Sequence, residues 1–408
     1  MATISQVGRS TSATATGGTL SGRALDSLDR VDPHDWDALV GENSSPLLHG
    51  YLKAWERVEL RGLCSRPVVA YGSDATRPVA ACPGYFYDLD MPTVRSPKTG
   101  PALRALRRLW PDLLYARTYE LGSPTPLTNP FLVRDHGMRP AAVEALIGAA
   151  LEEGEREPAD FVLVQNFTSR SGPAAEYLAG EGFAGVPIPV TAVIDLPFDS
   201  FDDYLGAMRS QYRRRARQTL KRSADLTVEH MRGFAELADH FARLWGLIYE
   251  RASEIKREIL TPAFFREVSR LDESSALVVR RPDGSVASFA LLLADGRWLS
   301  FLQCGFEEEA GRDEGAYFRL LYELVRAGIE GGFEQIDLGM TTITPKLDIG
   351  AVPVPLFAWV KHRNPLFQRA IRALGRGPLR PPEIEPRRVF KDAPRSAAEL
   401  VERREIPS

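Results

Sequence analysis

The chain has 408 residues, 44% of them hydrophobic and 26% charged, with a formal net charge of −3. That length suits two or three domains with ample core, and the near-balanced charge excludes a global pull toward nucleic acid or membrane. The three scattered cysteines, Cys64, Cys82 and Cys304, exclude a disulfide scaffold or cysteine-ligated metal and fit a reducing cytoplasm. No apolar run approaches the roughly 20 residues of a spanning helix, and the N-terminus lacks the apolar core of a secretory signal.

In chain order, residues 1–27 are rich in Ser, Thr and Gly and are expected to be disordered. Asp32 and Pro33 open a capped helix over 32–40, and a second helix is predicted over 47–60. Strands are expected at 67–71 and 79–87, flanking the turn at Gly72, Ser73 and Asp74. A helix with a basic face is predicted at 103–114. The stretch 119–131, with Pro124, Pro126 and Pro130, reads as a loop. An amphipathic helix at 140–155, a strand at 161–165, a short helix at 174–182 and a strand at 189–196 follow.

The second half repeats this order. Strands at 276–280 and 286–293 flank the Asp283-Gly284 turn, a hairpin signal because Gly accepts positive φ. A third strand is expected at 298–304, a polar loop at 307–315, and a helix at 317–329 with Leu320, Leu321, Leu324 and Val325 at helical spacing. Gln335 to Gly339 gives a last short strand. PVVAYGSDATRPVAACPGYF (67–86) parallels ALVVRRPDGSVASFALLLAD (276–295), and each is followed by an amphipathic helix and a short strand. This predicts a duplicated α/β unit built on a mixed sheet. Residues 353–360 are expected to form an edge strand, because Pro353 and Pro355 lack a donor. A basic amphipathic helix at 365–374 and a surface tail at 375–408 close the chain.

Between the halves, RSQYRRRARQTLKR (209–222) carries seven basic residues and no acid. It reads as a helix, either a solvated basic face or a phosphate-binding one. Arginine forks pair well with phosphate oxygens, which makes Arg213, Arg214, Arg215, Arg217 and Lys221 donor-binding candidates, with Tyr212 beside them. Helices at 234–256 and from Thr261-Pro262 follow.

Residues 196–363 resemble the acyltransferase module of the GNAT superfamily in its Fem-type, peptidoglycan-biosynthesis-like branch. The resemblance rests on FDDYLGAMRSQYRRRARQTLKR, LVVRRPDGSVASFALLL, EGAYFRLLYELVRAGIEGGFEQIDLG and PKLDIGAVPVPLFAWV. It implies tandem GNAT-like domains: 1–27 as a disordered lead, 28–195 as the first, 196–364 as the second, 365–408 as the basic helix and tail. It implies acyl transfer from acyl-CoA, an acyl carrier protein thioester or aminoacyl-tRNA to a small-molecule or peptide amine. Partners would be a carrier protein or tRNA; no metal and no DNA are expected. The family's R-x-x-G-x-G/A pyrophosphate loop corresponds to Arg312 to Tyr317, centred on Gly315. Glu307, Glu308, Glu309, Asp313 and Glu314 crowd it, so either the basic helix holds the donor phosphates or the donor is not CoA.

Acyl transfer to an amine calls for a base and an oxyanion donor. Asp337, Glu307 and His362 are the base candidates, against readings as a strand-end cap, a solvated loop acid and a surface residue. Tyr317 could protonate a thiolate leaving group or simply pack at the helix start. Backbone N–H groups of Gln303 and Cys304 are candidate oxyanion donors, and the Cys304 thiol is either core or an acyl nucleophile. Lys346 could bind a substrate carboxylate or phosphate. A non-catalytic nucleic-acid-binding or interaction protein is the third reading.

Overall fold

The structure is a computed structural model. It describes the chain outside residues 1–10, 16–17, 41–44, 74–75, 92–106, 126, 128, 136–137, 253–256, 308–314, 377–383, 393–394 and 403–408. The first half runs β1 (Thr11–Ala15), β2 (Gly18–Ala24), α1 (Pro33–Asp37), α2 (His49–Trp55), β3 (Cys64–Ser65), β4 (Val68–Tyr71), β5 (Pro78–Cys82) and β6 (Gly84–Asp90). It continues through β7 (Tyr115–Leu121), β8 (Leu132–Val133), α3 (Arg139–Arg156), β9 (Phe161–Phe167), α4 (Pro173–Gly180) and β10 (Ala184–Asp195). The second half runs α5 (Phe201–Ala207), α6 (Ser210–Arg222), β11 (Thr227–Met231), α7 (Ala238–Arg251), α8 (Pro262–Val268), β12 (Ser274–Arg280), β13 (Val286–Asp295) and β14 (Trp298–Phe306). It closes with α9 (Ala316–Glu330), β15 (Gln335–Asp337), α10 (Ile343–Asp348), β16 (Val352–His362), α11 (Pro365–Arg376) and α12 (Ala397–Glu402).

The duplication is visible in the pairing. In the first half β6 and β7 are antiparallel, β7 and β9 are parallel, and α3 is the crossover. In the second half β13 and β14 are antiparallel, β14 and β15 are parallel, and α9 is the crossover. The sequences just before the two crossover helices match as well: Arg134-Asp135-His136-Gly137 and Arg312-Asp313-Glu314-Gly315.

Each half lends its last strand to the other. β10 pairs with β15 of the second half, and β16 pairs with β9 of the first. The two exchanged strands pair with each other, so one 11-stranded sheet runs β11-β12-β13-β14-β15-β10-β16-β9-β7-β6-β3. A separate five-stranded sheet runs β1-β2-β4-β5-β8. One core lies between the second-half sheet and α5, α6 and α9, built on Tyr204, Leu320, Leu324 and Ile336. On the opposite face α2, α7 and α8 pack with β12 and β13, where the Phe289 ring stacks on Phe241 at 4.0 Å. The first-half core gathers on α3.

Several expectations are corrected. The disordered lead is in part structure: β2 pairs with β4, and Leu20 is buried. Gly22 explains the fit, because a Cβ there would lie 2.1 Å from the Ala145 carbonyl oxygen, so only glycine lets α3 pack this closely. The basic helix at 103–114 falls partly outside the described residues, and 107–114 are turns and irregular backbone. Tyr119 to Leu121 belong to β7, not to a loop; the prolines that suggested a loop begin only at Pro124.

β16 is an interior strand rather than an edge. Its prolines are tolerated because β9 reaches it only from Phe357 onward, so Pro353 and Pro355 have an open side. The tail is more than surface: Val389 is fully buried, and Phe390 packs against Phe198 and Tyr204. The Arg209 N–H donates to the Val389 carbonyl at 2.9 Å, tying the tail to the start of α6.

Candidate active site

β14 and β15 are parallel neighbours only over Trp298–Ser300 and Gln335–Asp337. β15 then stops, while β14 continues to Phe306 with β13 as its sole strand partner among the described residues. The sheet therefore opens between them. A bulge on β14 places Phe301 opposite Leu292 and Gln303 opposite Leu291, leaving Leu302 as the extra residue. Past Ser300, alternate N–H groups of β14 face the opening instead of a neighbouring strand. Gln303 and Cys304 lie on this stretch, and the alternation allows one of their two N–H groups to face the opening. The Gln303 side chain is held by the Trp245 indole N–H, which donates to Oε1 at 3.0 Å.

The floor of the opening is polar and buried. Asp337, 2% exposed, accepts from Thr191 Oγ1 at 2.7 Å and from the Gly339 N–H at 3.0 Å through Oδ1. These contacts fix the turn that ends β15. Lys346, also 2% exposed, donates to the Gly339 and Thr341 carbonyls, the former at 3.1 Å, and lies 5.8 Å from the Phe301 ring centre. Lys346 thus reaches the floor from α10, a helix within what the sequence presents as a loop.

The other candidates scatter. Tyr317 sits in the first turn of α9 and packs on Phe306 at the end of β14, ring centres 5.2 Å apart. Glu307 pairs with Arg243 at 2.9 Å and Arg281 at 3.0 Å. The Arg243 hydrogen bond, with that of Arg281 behind it, holds the carboxyl below the ordinary range, so Glu307 is a poor base at neutral pH. His362 is not at this opening. It ends β16 against Phe161 of the first half, three strands from β14, which is about 14 Å by strand spacing alone. Partial burial lowers its pKa, and Nδ1 accepts the Asn364 N–H at 2.8 Å, a local turn contact.

Burial pushes the Cys304 thiol up to about 11, against the pull of the Lys346 ammonium. A nucleophilic cysteine must be a thiolate, and this one stays protonated until the pH approaches that value. Cys304→Ala is therefore expected to keep turnover within about twofold. Loss of turnover with a trappable acyl-enzyme in the parent would reverse this assignment.

The basic helix splits into two sets. Arg213 donates to the Gly206 carbonyl at 3.2 Å, and Arg215 reaches Asp348 at 3.5 Å and lies 6.0 Å from the half-buried Tyr212 ring. Arg214, Arg217, Lys221 and Arg222 are exposed, and among the described residues they form no ion pair. The end of this helix meets the start of α9. Arg319 donates to the Ser223 carbonyl at 3.1 Å. A Cβ on Gly315, the residue before α9, would lie 2.7 Å from Arg222 Nη2. Gly315 has φ +71°, and among the described residues no side chain caps α9. The first N–H groups of α9 and the Arg222 guanidinium thus point positive charge at one spot, an arrangement that suits an intervening anion. The loop carrying Arg312, Asp313 and Glu314 lies outside the described residues, as do Glu308 and Glu309. Arg222 was within the basic stretch but not among the residues singled out from sequence; its proximity to Gly315 depends on packing.

Sequence reasoning also missed a buried cluster in the first half. Glu120 of β7, 1% exposed, accepts from the Tyr85 and Tyr87 hydroxyls and pairs with Arg257 at 3.0 Å. The alternation Tyr85, Phe86, Tyr87 marks the face but not its distant partner. Among the described residues no cluster of His, Cys, Asp or Glu could hold a metal, and no helix is long and apolar enough to cross a membrane.

Residues 206–343 match the acetyltransferase (GNAT) domain family. A curated Mycobacterium tuberculosis protein, "Putative 8-amino-7-oxononanoate synthase 2", found in two strains, is 25% identical over 282 residues, covering 65% of this chain and 36% of that one. The match thus spans little more than a third of that relative's length. The crystal structure of FemX superposes with a TM-score of 0.54 at 15% identity, covering 86% of this chain and 100% of FemX. A conserved protein of unknown function from Bacteroides thetaiotaomicron superposes with a TM-score of 0.50 at 12% identity, covering 83% of this chain and 98% of its own. The matched domain lies over the open sheet, α6 and α9, so residues 206–343 form a GNAT acetyltransferase domain, set in a chain whose fold is similar to that of FemX.

Proposed function

We propose that the chain moves an acyl group from a thioester donor, acyl-CoA or acyl carrier protein, to an amine on a small molecule or peptide in the cytoplasm. The observation that carries this reading is Arg222 against Gly315 at the start of α9. A cation at a helix N-terminus is disfavoured unless an anion lies between, and the donor phosphates supply one. The thioester carbonyl would then lie along β14, where N–H groups facing the opening stabilise charge on its oxygen. The amine attacks the carbonyl carbon, its nitrogen gives up a proton to solvent, the C–S bond breaks, and the thiolate takes up a proton. Tyr317, beside Phe306 at the mouth, is our choice for that proton donor. Lys346 and Asp337 hold the floor in shape.

A second reading is favoured by one observation. Arg214, Arg217 and Lys221 share a face of α6 over about 10 Å, longer than a pyrophosphate needs. That row fits an extended phosphate backbone, which would make aminoacyl-tRNA the donor. The test is transfer to a panel of amines, following thiol release from acyl-CoAs and acyl carrier proteins and, in parallel, label transfer from aminoacyl-tRNA. Thiol release supports the thioester reading. Transfer from charged tRNA alone replaces it with the second.

A further inference from the structure

Seven large apolar side chains are exposed among the described residues, and six of them, Met91, Leu109, Trp110, Leu114, Leu366 and Phe367, lie in two segments. Met91 directly follows β6, Leu109, Trp110 and Leu114 precede β7, and Leu366 and Phe367 open α11. The pairing brings both to one end of the large sheet. The Asp160 N–H donates to the Arg117 carbonyl of β7 at 2.7 Å, the Arg117 N–H donates to Asp160 Oδ2 at 3.0 Å, and the Arg363 N–H donates to the Asp160 carbonyl at 3.0 Å. Leu114 lies three residues before Arg117, and Leu366 three after Arg363. Phe367 packs on His362, ring centres 5.1 Å apart, which fixes the start of α11 at this end.

Once internal pairs are set apart, basic residues outnumber acids here, with Glu181 as an acid that forms no ion pair among the described residues. Asp88, Asp90, Asp112 and Asp160 are held by Arg61 or Arg117, Arg107, Arg61 and Arg363 respectively. Arg108, Lys361 and Arg369 form no ion pair among the described residues, Arg372 is spent on the Gly182 carbonyl at 2.7 Å, and α11 contains no acid. Exposed Trp, Phe and Leu beside surplus lysine and arginine is the composition of a surface that rests in the headgroup region of an anionic bilayer. The whole chain is acidic, so this local excess is not a reflection of overall charge.

We propose that this end of the first half docks reversibly on anionic lipid, with Trp110, Leu109, Leu366 and Phe367 inserted and Arg108, Lys361 and Arg369 over the headgroups. Trp110 reports directly, because it is 59% exposed while Trp36, Trp55, Trp245, Trp298 and Trp359 are each 8% exposed or less. The full chain would be mixed with phosphatidylglycerol–phosphatidylcholine vesicles and with phosphatidylcholine vesicles, following sedimentation and acrylamide quenching of tryptophan. The expected result is binding to the anionic vesicles, weakened by salt, with the quenchable fraction protected. Trp110→Glu with Phe367→Glu should lower the partition coefficient at least roughly tenfold. Arg108→Gln with Arg369→Gln, which leaves the apolar contacts in place, should weaken it in the same direction. No binding to anionic vesicles by the parent would overturn the proposal. So would concentration-dependent self-association that the Glu variants abolish, which would assign the face to a second copy of the chain.

Discussion

Arg222→Glu is expected to raise the donor KM about a hundredfold or more. A hydrogen bond to a charged group contributes about 1.5–3 kcal/mol, which alone corresponds to roughly ten- to 150-fold in affinity. Reversal adds a carboxylate where phosphates would sit, beside helix N–H groups that it would itself occupy. The fold should hold, because Arg222 is exposed and makes no ion pair among the described residues; exposed substitutions of that kind shift stability by about 0.5 kcal/mol or less. Arg222→Lys should cost less than the reversal, since lysine keeps the charge but loses the fork. Gly315→Ala should act in the same direction, because its Cβ would meet Arg222 Nη2 at 2.7 Å and φ is +71° there. Steady-state kinetics with the donor varied, alongside urea unfolding, separates the outcomes. An unchanged KM with a clear loss of stability would mean that Arg222 is a structural partner of the acidic loop and that the donor sits elsewhere.

The sequence carried the periodic elements well. α3, α9, the β4–β5 hairpin and the β12–β14 meander all follow from apolar spacing bounded by turn residues. It carried less where tertiary context overrides local signals. β7 places Arg117, Thr118 and Glu120 among its apolar positions, so its alternation is broken by polar residues that find partners only in the fold. β16 looked like an edge because the reading took its prolines as absolute, whereas β9 simply does not reach them. The strand exchange was not legible, since repeat order says nothing about which half a final strand joins. For the site, composition marked α6 as the basic element, but not which arginines face a ligand. Arg213 and Arg215 are spent on Gly206 and Asp348, while Arg222 reaches a glycine 93 positions away, a contact fixed by the packing of α6 against α9.

Arg257→Ala is expected to destabilise the protein by about 3 kcal/mol, because removing one member of a buried pair leaves the other without compensation. Glu120 is 1% exposed, and Arg257 bridges it to Glu258, with its guanidinium 5.4 Å from the Tyr87 ring centre. The figure sits at the low end of the usual range because the Tyr85 and Tyr87 hydroxyls still donate to Glu120. Burial, with the Glu120 charge behind it, pushes both tyrosines well above their ordinary value, so they remain donors at neutral pH. A neutral form favoured by the fold stabilises it fully below the unfolded value near 10, and that contribution is lost only as pH rises above it. Arg257→Met with Glu120→Leu should not restore the parent, since both hydroxyls then lose their acceptor; adding Tyr85→Phe and Tyr87→Phe should recover most of the loss. Because Arg257 belongs to the second half and Glu120 to the first, the single variant should also speed amide exchange along β7 relative to β13. Urea unfolding of the full chain measures the first effect and hydrogen exchange the second. A cost below about 1 kcal/mol, with exchange unchanged, would show that the exchange of β10 and β16 and the packing of α2 on α7 and α8 hold the halves together without a contribution from this pair.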